Sequence, residues 1–108
     1  MLVPRPDLPP FYDVAAAQTD DRPDGTMKVY FVRESGMGAI KIGVSKQLNK
    51  RMSELSRILP YKIDLLATIA GGREVEWTLH NRFDHARIQR EWFRPVPELL
   101  AYIEEIKR

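Results

Sequence analysis

The chain has no cysteine, which removes disulfide scaffolds, thiolate zinc sites and cysteine nucleophiles from consideration. It also lacks a long apolar run. The longest, Ile63 to Ala70, is interrupted by Asp64 and falls far short of the ~20 residues a membrane helix needs. The opening residues Met1-Leu2-Val3-Pro4-Arg5-Pro6 do not follow the basic-then-apolar order of a secretory signal, so a cytoplasmic location is the expectation. No internal repeat is present, and aromatics make up only 9% of the residues.

What remains is an ordinary globular composition. With 108 residues, 44% apolar and 30% charged, the chain is long enough for one core without metals or disulfides and too short for two. Its net charge of +2 is unevenly spread. Residues 1–26 carry two basic and five acidic side chains, a balance of −3, whereas residues 27–108 carry fifteen and ten, a balance of +5. The first segment also holds five of the eight prolines, and it reads as an acidic, mostly extended tail. The second reads as the folded domain, with a positive surplus suited to a polyanion.

Periodicity orders the domain. Met27, Val29 and Phe31 alternate with Lys28, Tyr30 and Val32, and after the turn Ser35-Gly36-Met37-Gly38 the residues Ile40, Ile42 and Val44 alternate with Lys41 and Gly43. That is a β-hairpin. If the aliphatic set faces the core, Tyr30 and Lys41 emerge together on the opposite face. Ser45 is placed to cap a helix running to about Ile58, with Leu48, Met52, Leu55 and Leu59 as its stripe and Arg51 at the stripe's edge. Lys62 to Ala70, apolar at both parities, is expected to be a central strand. A helix from about Arg73 to Asp84 sets Glu76 and His80 four residues apart on one face. Arg87 to Phe93 is extended or turned, and Pro97 starts a last amphipathic helix. The expected class is α/β in the α+β sense, with a small sheet flanked by about three helices.

The stretch Val29-Tyr30-Phe31, then Ile40-Lys41-Ile42-Gly43, then Arg51 and Glu76 resembles the GIY-YIG nuclease superfamily. Glu76-Trp77-Thr78-Leu79-His80, Phe83 and Glu91-Trp92-Phe93 are similar to its small phage-type branch, named after a T5 phage reading frame and a meiotically up-regulated fission-yeast gene. The resemblance spans about residues 27–105. It implies a three-stranded antiparallel sheet flanked by helices and a divalent-metal-dependent endonuclease, with nucleic acid, DNA foremost, as partner. By motif position Tyr30 matches the first tyrosine, Gly43 the second motif's glycine, Arg51 the helix arginine and Glu76 the ligand of Mg²⁺ or Mn²⁺. Lys41 stands where the second motif has tyrosine.

Phosphodiester hydrolysis needs a deprotonated nucleophile and neutralised charge on the phosphate. A free tyrosine, with pKa near ~10, is about one-thousandth phenolate at neutral pH, a gap of ~4 kcal/mol that an adjacent ammonium such as Lys41 narrows. Arg51 would grip phosphate with its planar fork. His80 is a candidate proton carrier or metal ligand. Lys46, Lys50, Arg73, Arg82, Arg87 and Arg90 are candidate phosphate contacts. Each has a plainer reading. Tyr30 and Lys41 make an exposed cross-strand pair. Arg51 pairs with Glu54 or Glu34. Glu76 and His80 belong to a solvated face, Glu76 offsets the helix dipole, or His80 is a packing residue. Trp92 and Phe93 pack together under the last helix, and Glu91 bonds backbone or a basic side chain. Two other functions fit the same chain: an inactive nucleic-acid-binding module, or an interaction domain whose acidic tail recruits a partner.

Overall fold

Alternation along β1 (Lys28–Glu34) and β2 (Ile40–Ser45) produces the expected antiparallel hairpin, with Val29 opposite Val44, Tyr30 opposite Gly43 and Phe31 opposite Ile42. The computed structural model describes residues 27–107; the tail assigned to residues 1–26 lies outside them. The hairpin turn is tied by one side chain. Glu34 accepts backbone N–H bonds from Gly36, Met37 and Ala39 at 2.6, 2.9 and 3.0 Å. Gly38 sits at φ +79°, a conformation that costs a residue with a Cβ about 1 kcal/mol or more.

The sheet has five strands, all neighbours antiparallel, in the order β3-β1-β2-β5-β4. The expectation of a three-stranded sheet is therefore incorrect, although the α+β class holds. The extra strands are β4 (Arg87–Gln89) and β5 (Trp92–Phe93). They come from the segment read as extended or turned, which folds back through Arg90 at φ +53°. The driving force is the outer edge of β2, whose buried N–H and C=O groups need partners. Ile40 and Lys41 pair there with Phe93 and Trp92, and Ile42 donates its N–H to the Glu91 carbonyl at 3.0 Å.

β3 (Ile63–Ala70) is likewise not central. It lies at the edge beside β1, and the central position falls to β2. A register shift explains the double-faced apolar pattern: Phe31 is opposite Ala67 but Val32 is opposite Leu65, so one extra residue of β3 is accommodated in a bulge. Before the bulge Ile63 faces one side, and after it Ala67 and Ile69 face the other. Residues of one parity, Ile63, Ala67 and Ile69, thus reach both faces of the sheet because the strand switches face at the bulge.

The sheet separates two layers. On one side Val29, Phe31, Ile40, Ile42, Val44 and Phe93 pack against Leu79 and Phe83 from α2 (Arg73–Arg82) and its C-terminal end, and against Leu99 and Ile103 of α3 (Pro97–Ile106). Each such side chain contributes about 1.5–3 kcal/mol by burial. On the other side Tyr30 and Val32 pack under Leu55 of α1 (Leu48–Ile58). Two boundaries differ from expectation. α1 begins three residues after Ser45, which ends β2 and accepts the Gln47 N–H on its Oγ at 3.0 Å. α2 ends at Arg82, and a 3₁₀ turn covers Asp84–Ala86.

Candidate active site

Tyr30 is directly opposite Gly43, and Lys41, two residues from Gly43 on the same strand, shares their face of the sheet. Strand alternation alone dictates this grouping. Glycine at position 43 has a specific function here: a Cβ would stand 2.5 Å from Tyr30 Cζ, so the bare backbone is what lets the phenol ring lie across β2. Tyr30 is fully buried and Lys41 nearly so, at 0% and 8% exposure. The pair is thus an interior feature of the α1 side of the sheet, not an exposed cross-strand decoration.

A buried ammonium requires compensation. Lys41 Nζ donates to Glu91 Oε1, and both side chains are shielded from solvent. Burial pushes the Lys41 ammonium toward deprotonation, but the negative charge available at Tyr30 and the carboxylates of Glu91 and Glu76 outweigh it and raise its pKa above the ordinary lysine value. Lys41 therefore acts as a fixed cation at neutral pH, not as a base. Trp92, opposite Lys41, lies on this same face with its ring centre 5.9 Å from Nζ. The expectation that Trp92 and Phe93 pack together under the last helix holds for Phe93 alone. Adjacent strand residues point to opposite faces, and Trp92 flanks Lys41.

Arg51 projects from the buried side of α1, one turn before Leu55, which itself packs on Tyr30 and Val32. It is only 6% exposed, deeper than an arginine at the edge of a stripe. Its Nε donates to Glu54 Oε1 at 3.1 Å, as one of the plainer readings proposed. Glu34 is not its partner, because that carboxylate is occupied by its own turn.

α2 approaches β2 where β5 stops. Ile42 points both its polar groups to that outer edge: its N–H meets Glu91, and its carbonyl accepts from His80 Nε2 at 2.8 Å. A carbonyl only accepts, so His80 carries its proton on Nε2. The imidazole also packs on the Phe93 ring, with centroids 5.1 Å apart. His80 thus docks α2 onto the sheet, and one turn earlier on the same helix face is Glu76, completely buried. Neither side chain belongs to a solvated face. Glu76 acts electrostatically on Lys41. Arg51 Nη1, Glu76 Oε2, His80 Nδ1 and Glu91 Oε2 are buried atoms without a hydrogen bond among the described residues, although Arg51, Glu76 and His80 each have further interactions.

A family model described as the T5orf172 domain matches residues 27–108, about three quarters of the chain. The chain belongs to the T5orf172 family. No curated protein and no solved structure matches it. The matched region coincides with the basic part of the sequence and contains every residue of the cluster. No described helix of the T5orf172 domain is long and apolar enough to cross a membrane.

The six candidate phosphate contacts do not form one patch on this T5orf172 domain. Lys46 lies in the bend leading into α1 and Lys50 is exposed on its first turn, next to Arg51. Arg73 opens α2, one turn before Glu76. Arg82 instead stacks on Phe83 and Tyr102, 5.2 and 4.9 Å from their ring centres, in the layer opposite Tyr30. Arg87 pairs with Asp84 at 2.9 Å, donates to the Arg90 carbonyl and covers Phe93, again opposite Lys41. Arg90 is exposed at the β4–β5 turn. The sequence could signal Glu91 as a buried acid bound for some basic partner, but naming Lys41 required knowing that β5 joins β2.

Among the described residues no three His, Asp or Glu side chains gather into a metal-binding group. The donor set fits a hard cation of the Mg²⁺ type, which typically keeps several waters and binds through one or two carboxylates plus the substrate's phosphate.

Proposed function

We propose that this domain is a divalent-metal-dependent endonuclease of the GIY-YIG type, hydrolysing nucleic-acid phosphodiester bonds. The observation that carries the reading is the gathering of Tyr30, Lys41 and Gly43 on one sheet face, within electrostatic reach of a fully buried Glu76. Lys41 favours the phenolate form of Tyr30, which accepts a proton from the attacking water. Arg51 holds the scissile phosphate through its planar guanidinium. His80 fixes α2 against β2 and so holds Glu76 at its depth. A Mg²⁺ or Mn²⁺ bound by Glu76 would supply charge neutralisation at the phosphate and leaving oxygen.

The decisive experiment incubates the purified chain and its Glu76→Gln variant with supercoiled plasmid, with Mn²⁺, Mg²⁺ or a chelator. Nicking by wild type that a chelator stops and Glu76→Gln lacks is expected. Equal nicking by both proteins would assign the activity to a contaminant. DNA binding with no cutting under any metal would identify a binding module on the same fold.

A further inference from the structure

Both tryptophans of the chain stay outside the two hydrophobic layers, although an indole ring has more to gain from burial than most side chains. Trp77 is 40% exposed on α2. Trp92 is half-buried, in contrast to its neighbour Phe93, which is completely buried on the opposite face. Pairing fixes what surrounds Trp92. Lys41 of β2 is opposite it on one side and Gln89 of β4 on the other, and directly paired residues share a face. Lys41, Trp92 and Gln89 thus form one row across the sheet, with the Lys41 ammonium 5.9 Å from the ring centre and the exposed Gln89 at the rim. On this face α1 covers β1 and β3, its Leu48, Met52 and Leu55 packing with Tyr30, Val32 and Ile63. No described residue of β4 or β5 joins that layer. Among the described residues, the outer end of the row is an aromatic surface that no helix covers.

A flat ring fixed by a sheet, with a cation on one side and an amide on the other, has the chemistry of a nucleobase platform. We propose that Trp92 is a substrate-binding residue whose ring stacks on an unpaired nucleobase, with the Gln89 amide meeting that base's edge, so that the domain prefers nucleic acid with single-stranded segments. This deepens the nuclease reading and rests on it for the presence of a strand at the site. Stacking on an aromatic ring tolerates any sequence, because every base has a π-face. Bases inside a continuous duplex present only their edges in the grooves. An amide both donates and accepts, which suits Gln89 to the edge of any base. Along β2 the row adjoins the candidate chemistry: Gly43, two positions or about 7 Å beyond Lys41, faces Tyr30. A base seated on Trp92 therefore sets the register of its strand against that cluster.

The test is tryptophan fluorescence of the full-length Trp77→Phe variant, in which Trp92 is the remaining indole. It is titrated with oligothymidylate, oligouridylate or a long duplex, with a chelator present so that no strand is cut. Loss of Trp92 emission is expected with single strands and not with the duplex, and the two single strands separate DNA from RNA as the source of the base. In the otherwise wild-type chain, Trp92→Leu is expected to weaken single-strand binding about tenfold, the equivalent of ~1.4 kcal/mol and within the range for one stacked base. Duplex binding should stay within about threefold. Trp92→Tyr, which keeps a stacking face, is expected to hold single-strand affinity within about threefold of wild type, and with the Trp77→Phe titration it carries the test if Trp92→Leu does not fold. A merely structural role for Trp92 would lower both affinities together and leave its emission unmoved. Equal quenching by duplex and single strands, or no quenching in a protein that nicks plasmid, overturns the inference and leaves the nuclease reading intact. Quenching by single strands in a protein that cuts nothing supports the platform and makes the domain a binding module. A chain that binds no nucleic acid and cuts nothing overturns both.

Discussion

Tyr30 and Gly43 face each other across the β1–β2 pair, and the phenol ring occupies the volume that any side chain at position 43 would need. Gly43→Ala should displace the ring at a cost of about 1–3 kcal/mol, seen as a lower urea midpoint. Because the hydroxyl moves with the ring, plasmid nicking should fall further than DNA affinity. Tyr30→Phe keeps the packing and should cost at most about 1.5 kcal/mol while abolishing nicking. A fully active Tyr30→Phe protein would remove Tyr30 from the chemistry.

Arg51→Lys retains charge at the buried face of α1 but loses the planar fork. Slower cutting with DNA affinity within about threefold of wild type is expected, less than ~1 kcal/mol by the usual conversion. The comparison is a single-turnover nicking rate beside a binding isotherm. A variant that cuts at the wild-type rate would remove Arg51 from the chemistry.

The basic residues divide into two groups with opposite signatures. Replacing Lys46 and Lys50 together by Ala should reduce the slope of log affinity against log salt by about 2 if each meets one phosphate. Arg82→Ala should leave that slope unchanged and cost about 0.5–1 kcal/mol of stability through its lost ring contacts. A salt series and a thermal melt on the same preparations test both statements. A slope altered by Arg82→Ala would move the nucleic-acid path to the α3 side.

Glu34 provides a pH signature separate from catalysis. Burial works to raise its pKa, but backbone N–H groups of Ala39, Met37, Gly36 and Gly38 outweigh this and hold the carboxyl below the ordinary value. A group with a depressed folded pKa contributes stability above its unfolded value, and the contribution is lost as pH falls through the folded one. The stability gap between wild type and Glu34→Gln should therefore be full above about pH 5 and shrink as pH falls below ~4. Urea midpoints across that range measure it. A gap independent of pH would mean that the turn is held by shape alone.

The hairpin was readable because alternation at Val29, Phe31, Ile40 and Ile42 is a local property, and with it came the shared face of Tyr30 and Lys41. Local pattern could not reveal β3's bulge, because a register shift leaves no mark in the sequence: Ile63, Ala67 and Ile69 share one parity yet face both sides. It also could not reveal that Arg87 to Phe93 completes the sheet. Three residues and two residues are too short for periodicity to register, and only β2's unmet edge explains their pairing. The site was legible as residue types and spacing, with the depth of Glu76 and His80 hidden. A four-residue spacing defines a helix face without saying whether that face meets water or, as here, the carbonyl of Ile42.

Fifty positions of chain separate Lys41 from the acid that holds it, and that distance has a kinetic meaning. Closing so long a loop carries an entropic cost on the order of 3–4 kcal/mol, whereas the β1–β2 hairpin needs only local contacts. The bonded counter-ion must then arrive late, after the strands that bury the ammonium have begun to pair. Glu91→Gln should accordingly speed unfolding and leave the refolding rate nearly unchanged in stopped-flow experiments. A slowed refolding limb would place the pair in the nucleus instead. In a chain still emerging from the ribosome, the Lys41 ammonium would meet its carboxylate only after some fifty further residues had followed β2 out.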